Sequence, residues 1–186
     1  MRELINKMRV STGGFFYKLL GVIRFLLIYL FYISKKIAPI GIIGRGNLLY
    51  FKGDIRIGRR LITGKNVDLI SEGILDIGEN VSIGDYSRVV SKDRIKIGSN
   101  VMLARFVSIL DHDHDYTVIN KEIKFDGYTT NSIEIGDNVW IGDKVTILKG
   151  IKIGSNVIIA ANSVVTKSIP DNCIVAGIPA VIKRSI

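Results

Sequence analysis

Asp111-His112-Asp113-His114-Asp115 places both histidines of the 186-residue chain two positions apart, with a carboxylate on either side of each. An imidazole titrates near neutrality and so accepts a proton from a hydroxyl at working pH. A neighbouring carboxylate fixes its tautomer and favours the imidazolium that forms. Residues i and i+2 of an extended segment share a face, which is also the spacing of two metal ligands, but the chain holds no third histidine. Its single cysteine, Cys173, excludes a disulfide framework or a thiolate zinc site within one chain and fits a reducing compartment. General-base chemistry is the first expectation for the pair, with a metal site or a solvated polar loop as the alternatives.

The elements that must position these residues form a repeat. From Ile37 onward an aliphatic residue returns every six positions, often followed by Gly and, four residues after it, by Val. Ile77-Gly78-Glu79-Asn80-Val81 recurs as Ile97-Gly98-Ser99-Asn100-Val101, Ile135-Gly136-Asp137-Asn138-Val139 and Ile153-Gly154-Ser155-Asn156-Val157. Restarts at 37, 57, 77 and 97 are 20 apart, and those at 135 and 153 are 18 apart. Three hexads per turn make a triangular coil of three short strands and three corners. The aliphatic residues point inward and stack, because one coil cannot bury its apolar edge alone. Glycine after the aliphatic residue permits close or unusual backbone. The 3 prolines agree, since proline deletes ladder hydrogen bonds. The expected fold class is an all-β solenoid of about six triangular coils over residues 37–170, with a C-terminal tail at 171–186.

One interruption breaks the phase. The 20-residue step after 97 predicts a restart near 117, yet the next is Ile135, so 18 residues are extra. This excursion, at about 111–132, opens with the Asp-His run and contains both histidines. A long departure from a strict solenoid carries function more often than not. The alternative is a degenerate coil using Ile119, Ile123 and Ile133 as inward aliphatics.

Charge is uneven. The chain holds 26 basic and 17 acidic residues, net +9. Residues 1–36 hold Arg2, Lys7, Arg9, Lys18, Arg24, Lys35 and Lys36 against Glu3 alone, which leaves the remainder near neutral and argues against nucleic acid as partner. Residues 15–33 read FFYKLLGVIRFLLIYLFYI. Lys18 and Arg24 interrupt a run that would need about 20 apolar residues to span a bilayer, and no small-residue cleavage site follows it. Aromatic and aliphatic side chains mixed with cations fit an N-terminal amphipathic α-helical segment lying on an anionic membrane surface. Packing on the body or on a partner subunit is the alternative. The expected location is cytoplasmic, with peripheral membrane association through residues 1–36.

The tandem Ile-Gly-x-Asn-Val blocks continue into Ser163-Val164-Val165-Thr166-Lys167-Ser168-Ile169-Pro170 and Ala176-Gly177-Ile178-Pro179-Ala180. Over about residues 40–184 the chain resembles the hexapeptide-repeat acyltransferases, and within them the maltose, galactoside and exopolysaccharide sugar O-acetyltransferases. The resemblance implies a left-handed parallel β-helix, a homotrimer with active sites between subunits, and acetyl-CoA as co-substrate without a required metal. The acceptor it implies is a sugar, nucleotide-sugar or lipid-linked saccharide. In that family a loop histidine ten residues after the Ala of the preceding coil deprotonates the acceptor hydroxyl. Counting from Ala104 reaches His114, with His112 supporting it or taking its place. Asp111, Asp113, Trp140 and Asp143 are the expected substrate-side residues, Trp140 matching the family's Val-Trp-Ile-Gly position. Asp143 and Ile178 depart from the family pattern.

Coenzyme A needs an extended groove with small walls and cations at one end. Ala160, Ala161 and Ser163 supply small residues. Thr166, Lys167, Lys183 and Arg184 suit the nucleotide and its phosphates. The related carbonic anhydrases use three zinc histidines, one more than this chain has. An amine acceptor, or a β-helix serving only as a scaffold, are the remaining readings.

Overall fold

The computed structural model describes residues 2–32 and 34–186; within the N-terminal helix, side chains are described for Phe16 and from Lys18 onward. From Ile37 the chain winds into a left-handed parallel β-helix of about 7 turns. The first wall has six strands, the second eight and the third six. The inward aliphatics stack in register: Ile57 beside Ile77, Ile77 beside Ile97, Ile97 beside Ile135 and Ile135 beside Ile153, all buried. The first-wall ladder therefore closes across the excursion without a slip.

The turn count exceeds the six read from the repeat because the tail joins the coil. Cys173–Ala176 pairs in parallel with Val157–Ile159 and extends the second wall, and Val181–Ser185 folds back antiparallel along it. Cys173 and Val175 point inward and are buried, where a thiol packs as a small apolar group. The extra turn was hidden because it lacks the Ile-Gly-x-Asn-Val signature.

The corners separate two duties that the sequence seemed to give to glycine alone. A Cβ on Gly78 would lie 2.6 Å from the Gly98 carbonyl carbon and oxygen, so glycine there permits coil-to-coil contact. The left-handed backbone falls two residues later, on Asn80, Asn100, Asn138, Asn156 and Asn172, with φ between 55° and 58°. Asparagine tolerates that region, and its amides bridge coils: Asn80 Nδ2 donates to Asn100 Oδ1 at 3.1 Å and Asn156 Nδ2 to Asn172 Oδ1 at 2.9 Å.

The N-terminal helix, Arg2–Phe31, covers the open end of the first coil. Gly21 and Phe25 are buried, and Ile28, Tyr29 and Tyr32 pack on the core, one stripe at helical spacing. The other faces leave Phe16, Leu19, Leu20, Ile23, Leu27, Leu30 and Phe31 exposed. So the helix packs on the body through this stripe, while these apolar side chains on its other described faces stay exposed. No helix among the described residues is long and apolar enough to cross a membrane. The side chains of Arg2, Lys7 and Arg9, part of the basic set expected at a membrane, lie outside the described residues.

Candidate active site

Three residues at one corner of the prism explain where the histidines stand. Ser71, Ser91 and Asp111 occupy the same position in successive coils, and all three are fully buried. Asp111 caps the coil below it: its carboxylate accepts from the backbone amides of Lys92, at 2.8 Å, and Asp93, at 2.9 Å, and lies 3.1 Å from the Ser91 hydroxyl. A carboxylate without solvent needs such donors. Asp111, expected on the substrate side, is instead enclosed within the chain and occupied by these donors. It faces His112, with Oδ1 3.2 Å from Nδ1.

Beyond Asp111 the excursion is neither a polar loop nor a degenerate coil. It is an antiparallel hairpin of His112–Ile119 and Glu122–Thr130, with a bulge between His114 and Tyr116. It returns to the solenoid at Asn131, whose amide donates to the Asp111 carbonyl at 2.9 Å. His114 lies opposite Tyr128, ring centroids 4.7 Å apart, and 6.0 Å from Phe125. His112 meets the same Tyr128 ring edge-on at 5.4 Å. The His114 side is exposed, whereas the His112 side chain is only 12% exposed. Of the two imidazoles, His114 is the more open to solvent.

Two lysines pin the hairpin. Lys92 Nζ sits 4.1 Å from the centre of the Tyr128 ring and 2.8 Å from Glu72 Oε1. The hydrogen bond to Glu72 raises the Lys92 pKa, and Lys92 lowers that of Glu72 through the same bond. On the opposite side Lys149 Nζ pairs with Asp113 Oδ2 at 3.2 Å and bonds Thr129. Asp113 thus has a partner within the chain. Sequence reasoning missed Lys92, Tyr128 and Lys149. Only the 20-residue step from Lys92 to His112 hinted at the first, and Tyr128 depends on the hairpin register.

A second group of expected residues gathers elsewhere. Trp140, Asp143, Ala160 and Ala161 line one groove with Ala104, Gly142, Ile158 and Ile159, about 510 Å³ in volume, on the second wall and the corner after it. Trp140 is half exposed. Asp143 also accepts from the Arg105 amide at 2.9 Å, which fixes the corner. The small side chains leave room for a thin, extended chain. Ser163 is fully buried and accepts from the Gly177 amide at 3.1 Å, so its side chain does not line the groove, against expectation. Lys183 and Arg184 lie on the strand added at the C-terminal edge of the same wall. Thr166 and Lys167 lie past the third wall instead, exposed, at the corner from which the hairpin leaves. Among the described residues no cluster of His, Cys, Asp and Glu has the makings of a metal site.

The hairpin, with Thr166 and Lys167, and the groove therefore lie on different edges of the chain. None of the groove's lining residues comes from the hairpin.

Residues 132–167 match the model of the bacterial transferase hexapeptide family (six repeats). The galactoside O-acetyltransferase of Escherichia coli is 52% identical over 54 residues, which span 29% of this chain and 27% of that enzyme. The chain thus matches less than a third of that relative's length. A maltose O-acetyltransferase from Clostridium difficile is 29% identical with a TM-score of 0.55, covering 81% of this chain and 71% of that one. An N-acyltransferase from Bacillus cereus, AntD, in complex with dTDP and coenzyme A, has a TM-score of 0.66 at 19% identity, over 84% and 87% of the two chains. That likeness is one of fold.

Proposed function

We infer that this hexapeptide-repeat protein of the transferase type is an acetyl-CoA-dependent O-acetyltransferase whose acceptor is a saccharide hydroxyl. The observation that carries the reading is the division of the site. A reachable histidine stands on a pinned hairpin at one edge, and a small-walled groove beside Trp140 runs along another. A cyclic assembly that sets the first edge of one copy against the second edge of the next completes a site at each contact. Such head-to-tail contacts close into rings, and the triangular cross-section suits three.

The walls differ in the way this assembly requires. Outward residues of the first wall alternate in charge: Arg56, Asp76, Lys96, Glu134, Lys152. Those of the second wall read Ile62, Ser82, Met102, Trp140, Ile158, Ile174. An apolar wall gains by being covered. The outer hairpin has the same need, since Phe125, Ile123 and Val118 are exposed and an isolated two-stranded hairpin is marginal in water.

In this reading the pantetheine arm of acetyl-CoA lies in the groove over Ala160 and Ala161, with Lys183 and Arg184 towards its phosphates. His114 takes the proton of the acceptor hydroxyl. The oxygen attacks the thioester carbonyl, and the tetrahedral intermediate collapses with the C–S bond breaking. The imidazolium returns its proton to the leaving sulfur, so no acyl-enzyme forms. His112, held by Asp111, and Tyr128 keep the hairpin in place. The test is thiol release from acetyl-CoA with neutral, amino and nucleotide-linked sugars as acceptors. Acceptor-dependent release that falls about 10²-fold or more in His114→Ala supports the reading. Release unchanged in His114→Ala but lost in His112→Ala moves the base to His112. No release with any acceptor sinks the enzyme reading. The exposed apolar side chains of the N-terminal helix, with the exposed Lys18 and Lys36, support working at an anionic membrane beside a lipid-linked acceptor.

A further inference from the structure

We propose that Tyr86 and Phe106 form an aromatic platform that binds the saccharide acceptor by ring stacking; the inference deepens the transferase reading and rests on it for the identity of the ligand.

The corner between the second and third walls carries one left-handed residue per coil. The column runs Gly46, Asn66, Tyr86, Phe106, Lys144, Asn162, all with positive φ. Each residue from Asn66 on donates its amide to the coil before it: Tyr86 to Lys65 O at 2.9 Å, Phe106 to Asp85 O at 3.0 Å, Lys144 to Arg105 O at 2.8 Å. Gly and Asn are the residues that this backbone favours, whereas a bulky aromatic there is an outlier. Two consecutive coils nevertheless carry Tyr86 at φ 60° and Phe106 at φ 58°. The corner imposes this backbone on every coil, so the unusual feature is the choice of two consecutive aromatics to occupy it.

The side chains do not repay this by burial. Tyr86 is 48% exposed and Phe106 45%. Their rings lie 5.1 Å apart and 7° from parallel, and the Arg105 guanidinium is 5.4 Å from the Phe106 ring. Two exposed, stacked rings with the Arg105 guanidinium beside Phe106 present what a pyranose asks for. Its C–H face packs on an aromatic surface while its hydroxyls meet polar groups at the edge.

The position suits an acceptor. Phe106 follows Ala104, which lines the small-walled groove, and Lys144 occupies the next rung beside Asp143, another lining residue. Coils are spaced by about 5 Å, so the platform continues the groove along the same edge, away from the C-terminal end where Lys183 and Arg184 sit. A donor entering from that end and an acceptor lying on the platform would meet near Trp140.

The experiment uses the full-length protein and the double variant Tyr86→Asn/Phe106→Asn, which installs the residue this backbone prefers. Saturation-transfer NMR is recorded with maltotriose and with a sialic acid trimer, and Tm and oligomeric mass are measured on the same samples. The expected result is saturation transfer to ring protons of at least one oligosaccharide in wild type. In the double variant this falls at least fivefold while Tm stays at or above that of wild type, mass is unchanged, and the Tm shift given by acetyl-CoA persists. Absence of transfer in wild type, transfer unchanged in the variant, or a variant with lowered Tm or altered mass each overturns the platform. If acetyl-CoA still protects wild type while no oligosaccharide binds, the platform falls and the transferase reading stands. If an oligosaccharide binds at the platform while acetyl-CoA neither protects nor is cleaved, the transferase reading falls instead.

Discussion

Asp111 illustrates how burial gives one carboxylate of a run a different task from its neighbours. The run Asp111–Asp115 announced proton chemistry, and the spacing drew attention to both histidines, but sequence alone treated the carboxylates alike. Burial separates them. Asp111 is enclosed, caps two amides and orients His112, whereas Asp113 sits outside and pairs with Lys149. Replacing Asp111 by Ala leaves the Lys92 and Asp93 amides without their acceptor, and each unsatisfied buried donor costs about 1–3 kcal/mol. The expected result is a lowered denaturation midpoint with fast hydrogen exchange at those two amides; wild-type protection would show that the cap is dispensable. Cys173 gives a second residue-scale expectation. Burial, with a smaller contribution from Asp171, raises its thiol pKa. The native protein should consume a thiol reagent slowly at pH 8 and stoichiometrically once denatured.

Among the elements, the coils were legible and the hairpin was not. The hexad phase is visible because the same inward aliphatic recurs on every wall, and a strict period survives substitution at outward positions. The excursion has no such period. Its strands are exposed on both sides in one chain, its short alternations at Tyr116, Val118 and at Ile123, Phe125 fall outside the hexad phase, and Tyr128 becomes significant only when paired with His114. The final turn escaped for a related reason, since Cys173 and Val175 replace the usual signature. Glycine at the coil contacts is testable. A methyl group on Gly98 would lie 2.6 Å from the Gly136 carbonyl oxygen and 2.5 Å from Asp137 Oδ1. Gly98→Ala should destabilise by about 1–3 kcal/mol, the range for overpacking, whereas a neutral result would show that the coils can part. The Glu72–Lys92 pair behind the hairpin adds a pH dependence. Because Lys92 depresses the Glu72 pKa, the pair's contribution is complete above the ordinary carboxylate range and is lost as pH falls through the depressed value. Both side chains touch solvent, so the change is under about 1 kcal/mol. Tyr128 ring resonances should shift over that acid range in wild type and stay still in Glu72→Gln.

At the level of the whole molecule, a charge-alternating first wall and a largely apolar second wall support the proposed cyclic assembly. The N-terminal helix packs on the first coil with one stripe and leaves Leu19, Leu20, Ile23, Leu27 and Leu30 exposed. Vesicles containing an anionic lipid should therefore sediment the protein at low salt more than neutral vesicles do; equal and negligible sedimentation with both would assign that surface to a protein partner. The central claim is that each site takes its base from one copy and its groove from the next. It is tested by mixing two inactive variants, His114→Ala and Ala160→Arg, and measuring acetyl-CoA cleavage with a productive acceptor. Mixed assemblies should regain activity, approaching about a quarter of wild-type sites for a random mixture of equal parts in a cyclic homo-oligomer. Mixed assemblies that form yet stay inactive would place His114 and the groove in a single chain and contradict the shared site.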